Sequence, residues 1–109
     1  MIEIREYLNA QGISPYGRWF GKLDAAAAAK VTIAVHRIGL GNFSNVKGVG
    51  RGVFEYRIDF GPGYRLYFGK DGEMLVILLG GGSKMRQSAD IKAAQDCWSN
   101  YKRRKHSEV

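Results

Sequence analysis

The sequence predicts a small α+β domain with the order strand, two helices, three strands and a final helix. Three observations predict it: an alanine-rich segment with core spacing, three later segments rich in aromatic and β-branched residues, and helical periodicity in the last quarter. With 109 residues, of which 45% are hydrophobic and 25% charged, the chain is long enough for one hydrophobic core. Residues 1–109 are therefore interpreted as a single domain.

The first half of the chain predicts one strand and two helices. Ile2 and Ile4 begin an alternating pattern, which favours a strand, with a helix as the rival interpretation. Ser14 can cap a helix that has Pro15 at its first position, and Asp24 can cap a second helix that opens with alanines, the strongest helix formers. The expected bounds are residues 2–8 for the strand and about 14–22 and 24–39 for the helices.

The second half predicts an irregular connection, a three-stranded meander and a helix. Residues 39–52 are rich in glycine and have no clear period, so a mobile connection is expected. Asp71-Gly72 is a hairpin signal, and the apolar run Met74–Leu79 predicts a central strand with the N-terminal strand on its other side. The glycines at 80–82 are expected to end the sheet. The expected bounds are 53–60, 64–69 and 73–80 for the strands and about 87–104 for the helix.

The charge balance points to an anionic partner. Seventeen Lys and Arg against ten Asp and Glu give a net charge of +7. A basic surface attracts polyanions in a salt-dependent way, so nucleic acid is the first partner to consider. A basic protein without any anionic partner is the alternative.

Other features argue against secretion, a membrane span and metal chemistry. Cys97 is the only cysteine, so an internal disulfide is excluded, and beside Trp98 it is interpreted as a buried structural thiol. The N-terminus does not resemble a signal peptide, and Met74–Leu79 is far shorter than the roughly 20 residues that span a bilayer. No Cys/His spacing fits zinc. We expect a cytoplasmic protein that uses neither a metal nor another cofactor.

Two arginines are expected to meet near the turn Gly61–Gly63. If these three residues form the loop of a hairpin, Asp59 lies opposite Arg65 and Arg57 lies opposite Tyr67. The two arginines are then diagonal neighbours with Cβ atoms about 7 Å apart, close enough for both side chains to hold one phosphate. The alternative is structural, with Arg65 paired to Asp59 and Arg57 paired to Glu55 or a neighbour.

The face that carries the arginines is expected to be partly apolar. Val76 and Leu78 of the next strand are placed on it, beside the Tyr67 hydroxyl. An apolar floor next to two guanidinium groups suits an RNA phosphate with a base stacked nearby. The predicted RNA contacts of this surface therefore include Tyr67.

Further basic residues extend the candidate site. Lys84 and Arg86 follow the glycines at the end of the predicted central strand, where ligand groups commonly gather, and a solvated turn is the alternative. The tail of the final helix suggests non-specific phosphate contact, although a solvated helix end is also compatible. The other predicted RNA-binding residues are Lys47, Arg51, Lys102, Arg103 and Arg104.

Five segments carry a resemblance to a known family. They read SPYGRWF (14–20), IGLGNF (38–43), GVFEYRIDFGPGYRLYF (52–68), LLGGGSK (78–84) and SADIKAAQDCW (88–98). Together they cover nearly the whole chain and resemble the addiction-module killer proteins of the RelE/HigB-like toxin superfamily, phage-related branch. The resemblance implies a RelE-like microbial RNase fold and a toxin that cleaves mRNA on the ribosome. It also implies an antitoxin from the adjacent gene, often a helix-turn-helix protein.

The resemblance assigns catalytic roles to three cations. The arginine of the GYR segment falls on Arg65, the basic residue of the preceding strand on Arg57, and the one after the glycines on Lys84. The chain departs from some superfamily members by having Glu55 where they have lysine and Asp90 where they have a tyrosine or histidine. Because RNA carries its own 2′-hydroxyl nucleophile, cations alone could stabilise the transition state. A non-catalytic RNA- or ribosome-binding module and a basic protein-interaction domain remain the alternatives.

Overall fold

A computed structural model describes residues 1–107 and contains one five-stranded mixed sheet with helices on both faces. In chain order the elements are strand β1 (Glu3–Glu6), helices α1 (Pro15–Gly21) and α2 (Ala25–Gly39), strands β2 (Val46–Gly48), β3 (Val53–Ile58), β4 (Tyr64–Lys70) and β5 (Leu75–Ser83), a 3-10 turn (Lys84–Arg86) and helix α3 (Gln87–Ser107). The strand order is β1-β5-β4-β3-β2. Within this sheet β1 and β5 pair in parallel, and the other neighbours are antiparallel. The predicted α+β class is confirmed.

The two predicted helix starts are confirmed by their caps. The Ser14 hydroxyl accepts a hydrogen bond of 2.8 Å from the backbone N–H of Gly17, and Pro15 follows it at the first helical position. The Asp24 carboxylate accepts an equivalent bond of 2.8 Å from Ala27. Each cap satisfies one of the backbone N–H groups that the first turn of a helix leaves unpaired.

The connection between α2 and β3 is more ordered than expected. It contains β2, which pairs antiparallel with β3 and places Lys47 opposite Glu55. The chain then reverses through Gly50, Arg51 and Gly52, all of which have positive φ angles. The expectation of an irregular and mobile connection is therefore wrong for β2, which pairs with the edge of β3 that would otherwise lack a partner strand.

Strand β5 continues beyond its predicted end at residue 80. The chain stays paired with β4 as far as Ser83, which lies opposite Tyr64. The expectation that the glycines end the sheet is therefore wrong. Gly81 and Gly82 instead allow other side chains to pack closely against the strand. The Trp19 ring lies against Gly81 and the Asp90 carboxylate against Gly82, so a Cβ atom at either position would overlap a side chain.

The turn between β4 and β5 is longer than the predicted two-residue hairpin. The Asp71 N–H donates to the Leu75 carbonyl over 2.9 Å, which leaves the three residues Gly72–Met74 in the loop. Because the loop is one residue longer than predicted, each side chain of β5 lies on the face of the sheet opposite to the expected one. Val76 and Leu78 therefore pack beneath α1 and α2, and their predicted place beside the arginines is wrong.

Two hydrophobic cores lie on opposite faces of the sheet. The first is formed by α1, α2 and the sheet, and its fully buried members are Val31, Ile38, Leu66 and Phe68. The second lies under α3, where Trp98 packs with Tyr67, Ile77 and Leu79. No helix within residues 1–107 is long and apolar enough to cross a membrane.

The 3-10 turn before α3 is hydrogen-bonded to the loop between β3 and β4, and the end of α3 lies at the turn between β4 and β5. There the Asp71 carboxylate accepts hydrogen bonds from the Tyr101 hydroxyl (2.6 Å) and the Lys105 ammonium group (2.5 Å). The Lys105 hydrogen bond, followed by the Tyr101 bond, lowers the pKa of Asp71. The far end of α3 is thus attached to the sheet by a charged contact.

Substitution of Gly69 tests the packing of α3. A Cβ atom at this position would lie 2.5 Å from the Trp98 ring. We expect Gly69→Ala to lower the free energy of unfolding by about 1–3 kcal/mol, since overpacking of this size displaces neighbouring groups. Urea denaturation measures the change. Gly21→Ala is the control, because a Cβ atom there meets nothing within 4 Å, and its stability should be unchanged or slightly higher. Equal stability of both variants would contradict this account.

The Asp71 contact predicts a pH-dependent contribution to stability. Because the folded-state pKa is lowered, the contribution is fully present above the unfolded value of about 3.9 and is lost as pH falls through the folded value. Wild type should be more stable than Asp71→Asn at neutral pH, and the difference should shrink below about pH 4. Denaturation curves across this range measure it. Asp96→Asn, which affects only an exposed pair with Lys92, should differ little from wild type.

Candidate functional site

The two arginines of the β3–β4 hairpin lie directly opposite each other. The loop spans the five residues Asp59–Gly63, so Arg57 pairs with Arg65 and Glu55 pairs with Tyr67. The expected register, with Asp59 opposite Arg65, is wrong because the loop is two residues longer than predicted. An even change in loop length keeps every side chain on its expected face. Arg57 and Arg65 are therefore closer together than the predicted diagonal arrangement.

Each of the two arginines lies beside the acidic residue that was predicted to pair with the other. Arg65 Nε lies 3.8 Å from Glu55 Oε1, and Arg57 Nε lies 3.7 Å from Asp59 Oδ1. The predicted structural pairs had these acids the other way round. The Arg57 pair is exposed and contributes little to stability, whereas the Arg65 pair is buried.

Glu55 is the centre of a buried polar cluster. Its side chain is 1% exposed, accepts a hydrogen bond of 2.9 Å from Gln87 Nε2 and lies 3.7 Å from the Lys47 ammonium group. Together with Arg65, these contacts connect β2, β3, β4 and α3. Lys47, predicted as an RNA contact on a mobile arm, instead lies on an edge strand beside this carboxylate.

The three predicted catalytic cations line one open pocket. Arg57, Arg65 and Lys84 surround it with the loop Asp59–Gly63, and its volume is about 370 Å³. The Lys84 N–H donates to the Gly63 carbonyl over 2.9 Å, which fixes the lysine beside the hairpin. Gly63 has a positive φ, and a Cβ atom there would lie 3.3 Å from Arg65 Nη1. The structure thus brings together residues that are far apart in the sequence.

This pocket is electrostatically suited to an anion. Like charges placed directly opposite on antiparallel strands repel each other. Glu55 balances part of this charge, since it lies 3.8 Å from the buried Arg65 Nε atom. Phosphate oxygens accept charge-assisted hydrogen bonds from guanidinium groups, and the Arg57 side chain is exposed at the pocket.

The predicted RNA contact by Tyr67 does not fit its position. The residue is 1% exposed, and α3 covers the face of the sheet on which it lies. Burial, followed by the charge of Glu55, raises the pKa of the hydroxyl above its ordinary value, so it stays protonated. The expected apolar floor for a stacked base is occupied by α3. Direct contact between Tyr67 and RNA would require α3 to move.

The other predicted RNA-binding residues fall in three places. Arg86 lines a second concave surface, which it shares with Tyr64 and Asp90. Arg51 is in the turn at the opposite end of β3. Lys102, Arg103 and Arg104 are near the end of α3, about 22 Å from its start at the rise of a helix. There Lys102 lies over the Trp98 ring and Arg104 over the Tyr7 ring. These residues form separate basic areas of the surface.

Asp90 is a carboxylate that the sequence pattern did not select. It is half-buried in the first turn of α3, and its Oδ2 atom has no hydrogen-bond partner in the described chain. Burial raises its pKa, partly offset by the charge of Arg86. The resemblance predicts a tyrosine or histidine at this position, so the carboxylate was not selected. The signal for Asp90 was Gly82, which leaves space for the carboxylate.

Potential metal ligands and the cysteine are two other sources of catalytic chemistry to consider. Within residues 1–107, no group of three or more His, Cys, Asp or Glu side chains is arranged to hold a metal ion. Cys97 is half-buried, and burial raises the pKa of its thiol. A protonated thiol is a weak nucleophile, which favours the structural interpretation of Cys97.

Comparison with known proteins finds a relative of similar sequence. No family model matches the chain. An uncharacterized protein of Haemophilus influenzae is 44% identical over 81 residues, which represent 73% of this chain and 82% of that protein.

Substitution of Glu55 tests the buried cluster. Glu55→Gln removes the charge but keeps the size, and it leaves the buried Arg65 without a counterion. We expect the free energy of unfolding to fall by about 3–5 kcal/mol, as when one partner of a buried pair is removed. Thermal or urea denaturation measures it. Asp59→Asn, at the exposed partner of Arg57, should change stability by less than about 0.5 kcal/mol. A small effect at Glu55 would mean that Arg65 is compensated by other groups.

Proposed function

We propose that this chain, which belongs to the same family as the Haemophilus influenzae protein, is the toxin of a type II toxin–antitoxin system. In this proposal it has a RelE-like fold and is a ribosome-dependent endoribonuclease that cleaves mRNA without a metal. The observation that carries the proposal is the convergence of Arg57, Arg65 and Lys84 on one pocket. The α+β architecture and the net charge of +7 are compatible with it.

The chemistry follows from the charges around the pocket. The 2′-hydroxyl of RNA loses its proton to water and attacks the adjacent phosphorus. The bond to the 5′-oxygen breaks as that oxygen takes a proton from water, leaving a 2′,3′-cyclic phosphate and a 5′-hydroxyl. The pentacoordinate phosphorane carries more negative charge than the ground state. Cations placed in advance around the phosphate therefore stabilise the transition state more than the substrate. Binding on the ribosome would supply the in-line alignment of the 2′-oxygen.

The three cations would divide this work unequally. Arg57 is 62% exposed at its side chain, and Lys84 is also exposed, so both can reach a phosphate directly. Arg65 is 9% exposed at its side chain and is held beside Glu55. It would contribute a fixed charge with little freedom to move, which suits a preorganised site.

The partners follow from the same surface. Ribosome-bound mRNA would meet the basic pocket, and the proposed site of action is therefore the cytoplasm. An antitoxin from the adjacent gene, such as a helix-turn-helix protein, would block the pocket with an acidic segment. Electrostatic complementarity would give this complex a fast association rate at low salt.

A non-catalytic RNA- or ribosome-binding module is the second candidate. It is favoured by the burial of Arg65, whose pairing with Glu55 is sufficient to explain this arginine structurally. In a binding module the exposed cations would contribute affinity and not turnover. A basic protein-interaction domain would use the same surface for an acidic partner.

Primer extension on mRNA from cells briefly induced for this protein distinguishes these candidates. Wild type should produce discrete new 5′ ends in frame with codons. Arg57→Ala and Lys84→Ala should each reduce cleavage by about 10²–10³, as when one transition-state contact is removed. Arg65→Ala is a weaker test, because it leaves Glu55 buried without its partner.

The control is Lys92→Ala, which removes an exposed cation from the ion pair with Asp96. It should cleave like wild type. Ribosome co-sedimentation of each variant separates binding from turnover: an enzyme loses cleavage while most ribosome affinity remains. Intact transcripts with folded, ribosome-bound wild type would reject the nuclease and support the binding module.

A further inference from the structure

A second concave surface lies next to the catalytic pocket. This groove has a volume of about 640 Å³, within the usual range for ligand pockets of about 300–1,000 Å³. Its floor is Gly81–Ser83, and its walls come from α1 and the start of α3. Apart from the glycine floor, the lining side chains are Pro15, Arg18, Trp19, Lys22, Tyr64, Ser83, Arg86 and Asp90.

The groove and the pocket are adjacent along two strands. Tyr64 and Ser83 are paired and line the groove, whereas their neighbours Gly63 and Lys84 line the pocket. One residue of strand spans about 3.3 Å. An extended polyanion held at the pocket would therefore pass directly into the groove.

The floor of the groove is a strand edge without a partner strand in the described sheet. β1 pairs only with Leu75–Leu78, so Gly81–Ser83 is paired on one side alone, with β4. The Trp19 ring and the Asp90 carboxylate pack over the two glycines, so a ligand in the groove meets these side chains above the strand. Backbone N–H and C=O groups at such an edge can bind the polar edges of a base or ribose.

The walls combine charge with aromatic surface. Arg18 on α1 and Lys22 directly after it are exposed, and Arg86 is exposed on the opposite side. Between them the rings of Trp19 and Tyr64 meet edge to face, with centroids 6.5 Å apart. Cations that follow a phosphate backbone, together with aromatic rings that stack bases, are the two components of single-strand binding sites.

The Asp90 carboxylate completes the groove. Its Oδ2 atom is packed against Gly82 and has no hydrogen-bond partner within residues 1–107. Because the residue is only partly buried and lines the groove, its carboxylate has acceptor capacity for a ligand there. The exocyclic amino group of cytosine is a donor that Asp and Glu accept in nucleic-acid complexes, whereas uracil presents an acceptor at that position.

We propose that this groove binds one nucleotide of single-stranded RNA beside the catalytic pocket, and that Asp90 favours a base with an amino group such as cytosine. The assignment rests on the proposed function, since it places the flanking nucleotide of the same mRNA. It adds a specificity site on α1 and α3 to the cations of the hairpin. Arg18, Lys22 and Arg86 hold phosphates, Trp19 and Tyr64 contact the base, and Asp90 reads its amino edge.

Fluorescence of Trp19 tests the groove without ribosomes and without cleavage. Hexacytidylate is titrated at low salt into wild type and into Trp19→Phe, which lacks the reporter but keeps the buried Trp98. A change in wild type that is absent in Trp19→Phe places the nucleotide in the groove. Failure of mRNA cleavage would not affect this measurement, so the two proposals fail separately. No change in wild type would overturn the groove assignment.

Charge-matched variants identify the residues that hold the RNA backbone. Arg18→Ala/Lys22→Ala should weaken binding about tenfold or more and lower the salt slope by about 0.7 for each phosphate that is no longer neutralised. Arg5→Ala/Lys92→Ala removes two exposed cations from elsewhere and should bind like wild type. Equal weakening in both double variants would show a general charge effect and overturn the site.

The role of Asp90 is tested by base preference. Wild type should bind hexacytidylate more tightly than hexauridylate, and Asp90→Asn should lose the preference because an amide both donates and accepts. Equal affinities in wild type would overturn base reading by Asp90. A polyglutamate peptide of matched charge provides the remaining test. If it changes Trp19 fluorescence as strongly as RNA does, the groove is a protein-docking surface and the RNA assignment is wrong.

Discussion

The contact between the buried Glu55 carboxylate and Arg65 is the interaction on which the arrangement of the site depends. An isolated charge is costly to bury, and these two are tolerated because each compensates the other. The carboxylate also accepts a hydrogen bond from Gln87, so the same group orients a cation at the hairpin and attaches the start of α3. The register of β3 and β4 is therefore stabilised by this ion pair as well as by burial of the apolar face of the hairpin. A shift by one residue would bury the opposite face and separate the pair.

The basic surface consists of regions with different degrees of order. Beside the hairpin, Arg65 is fixed by burial, whereas Arg57 and Lys84 are exposed. Near the end of α3, Lys102 and Arg104 lie over aromatic rings, so their charges are also partly held in place. A polyanion contacting both regions would have to follow the length of α3. The net charge alone does not distinguish this geometry from a uniformly basic surface, because long-range attraction depends little on where the charges sit.

Local signals in the sequence predicted the helices and the faces of the hairpin, but not the loop lengths. Ser14 and Asp24 define helix starts through contacts within three residues. By contrast, Gly-Pro-Gly and Asp-Gly are compatible with several loops, and the choice depends on packing from distant segments. The three-residue turn at Gly72–Met74 placed Val76 on the other face of the sheet. Asp90 was missed for a similar reason, since its significance depends on Gly82, which lies in a different element and is adjacent to it only in the fold.

Helix α3 links the stability of the protein to the electric field at its surface. It packs on the face of the sheet that carries Glu55 and Arg65, and the burial of these two side chains lowers the local dielectric and strengthens the charge interaction between them. The helix supplies none of the three cations. Under the proposed function, its attachment through Trp98 at Gly69 and through Lys105 at Asp71 would nevertheless influence how strongly those cations attract a phosphate. Substitutions at the far end of the helix would thus change ligand affinity without altering any group that contacts the ligand.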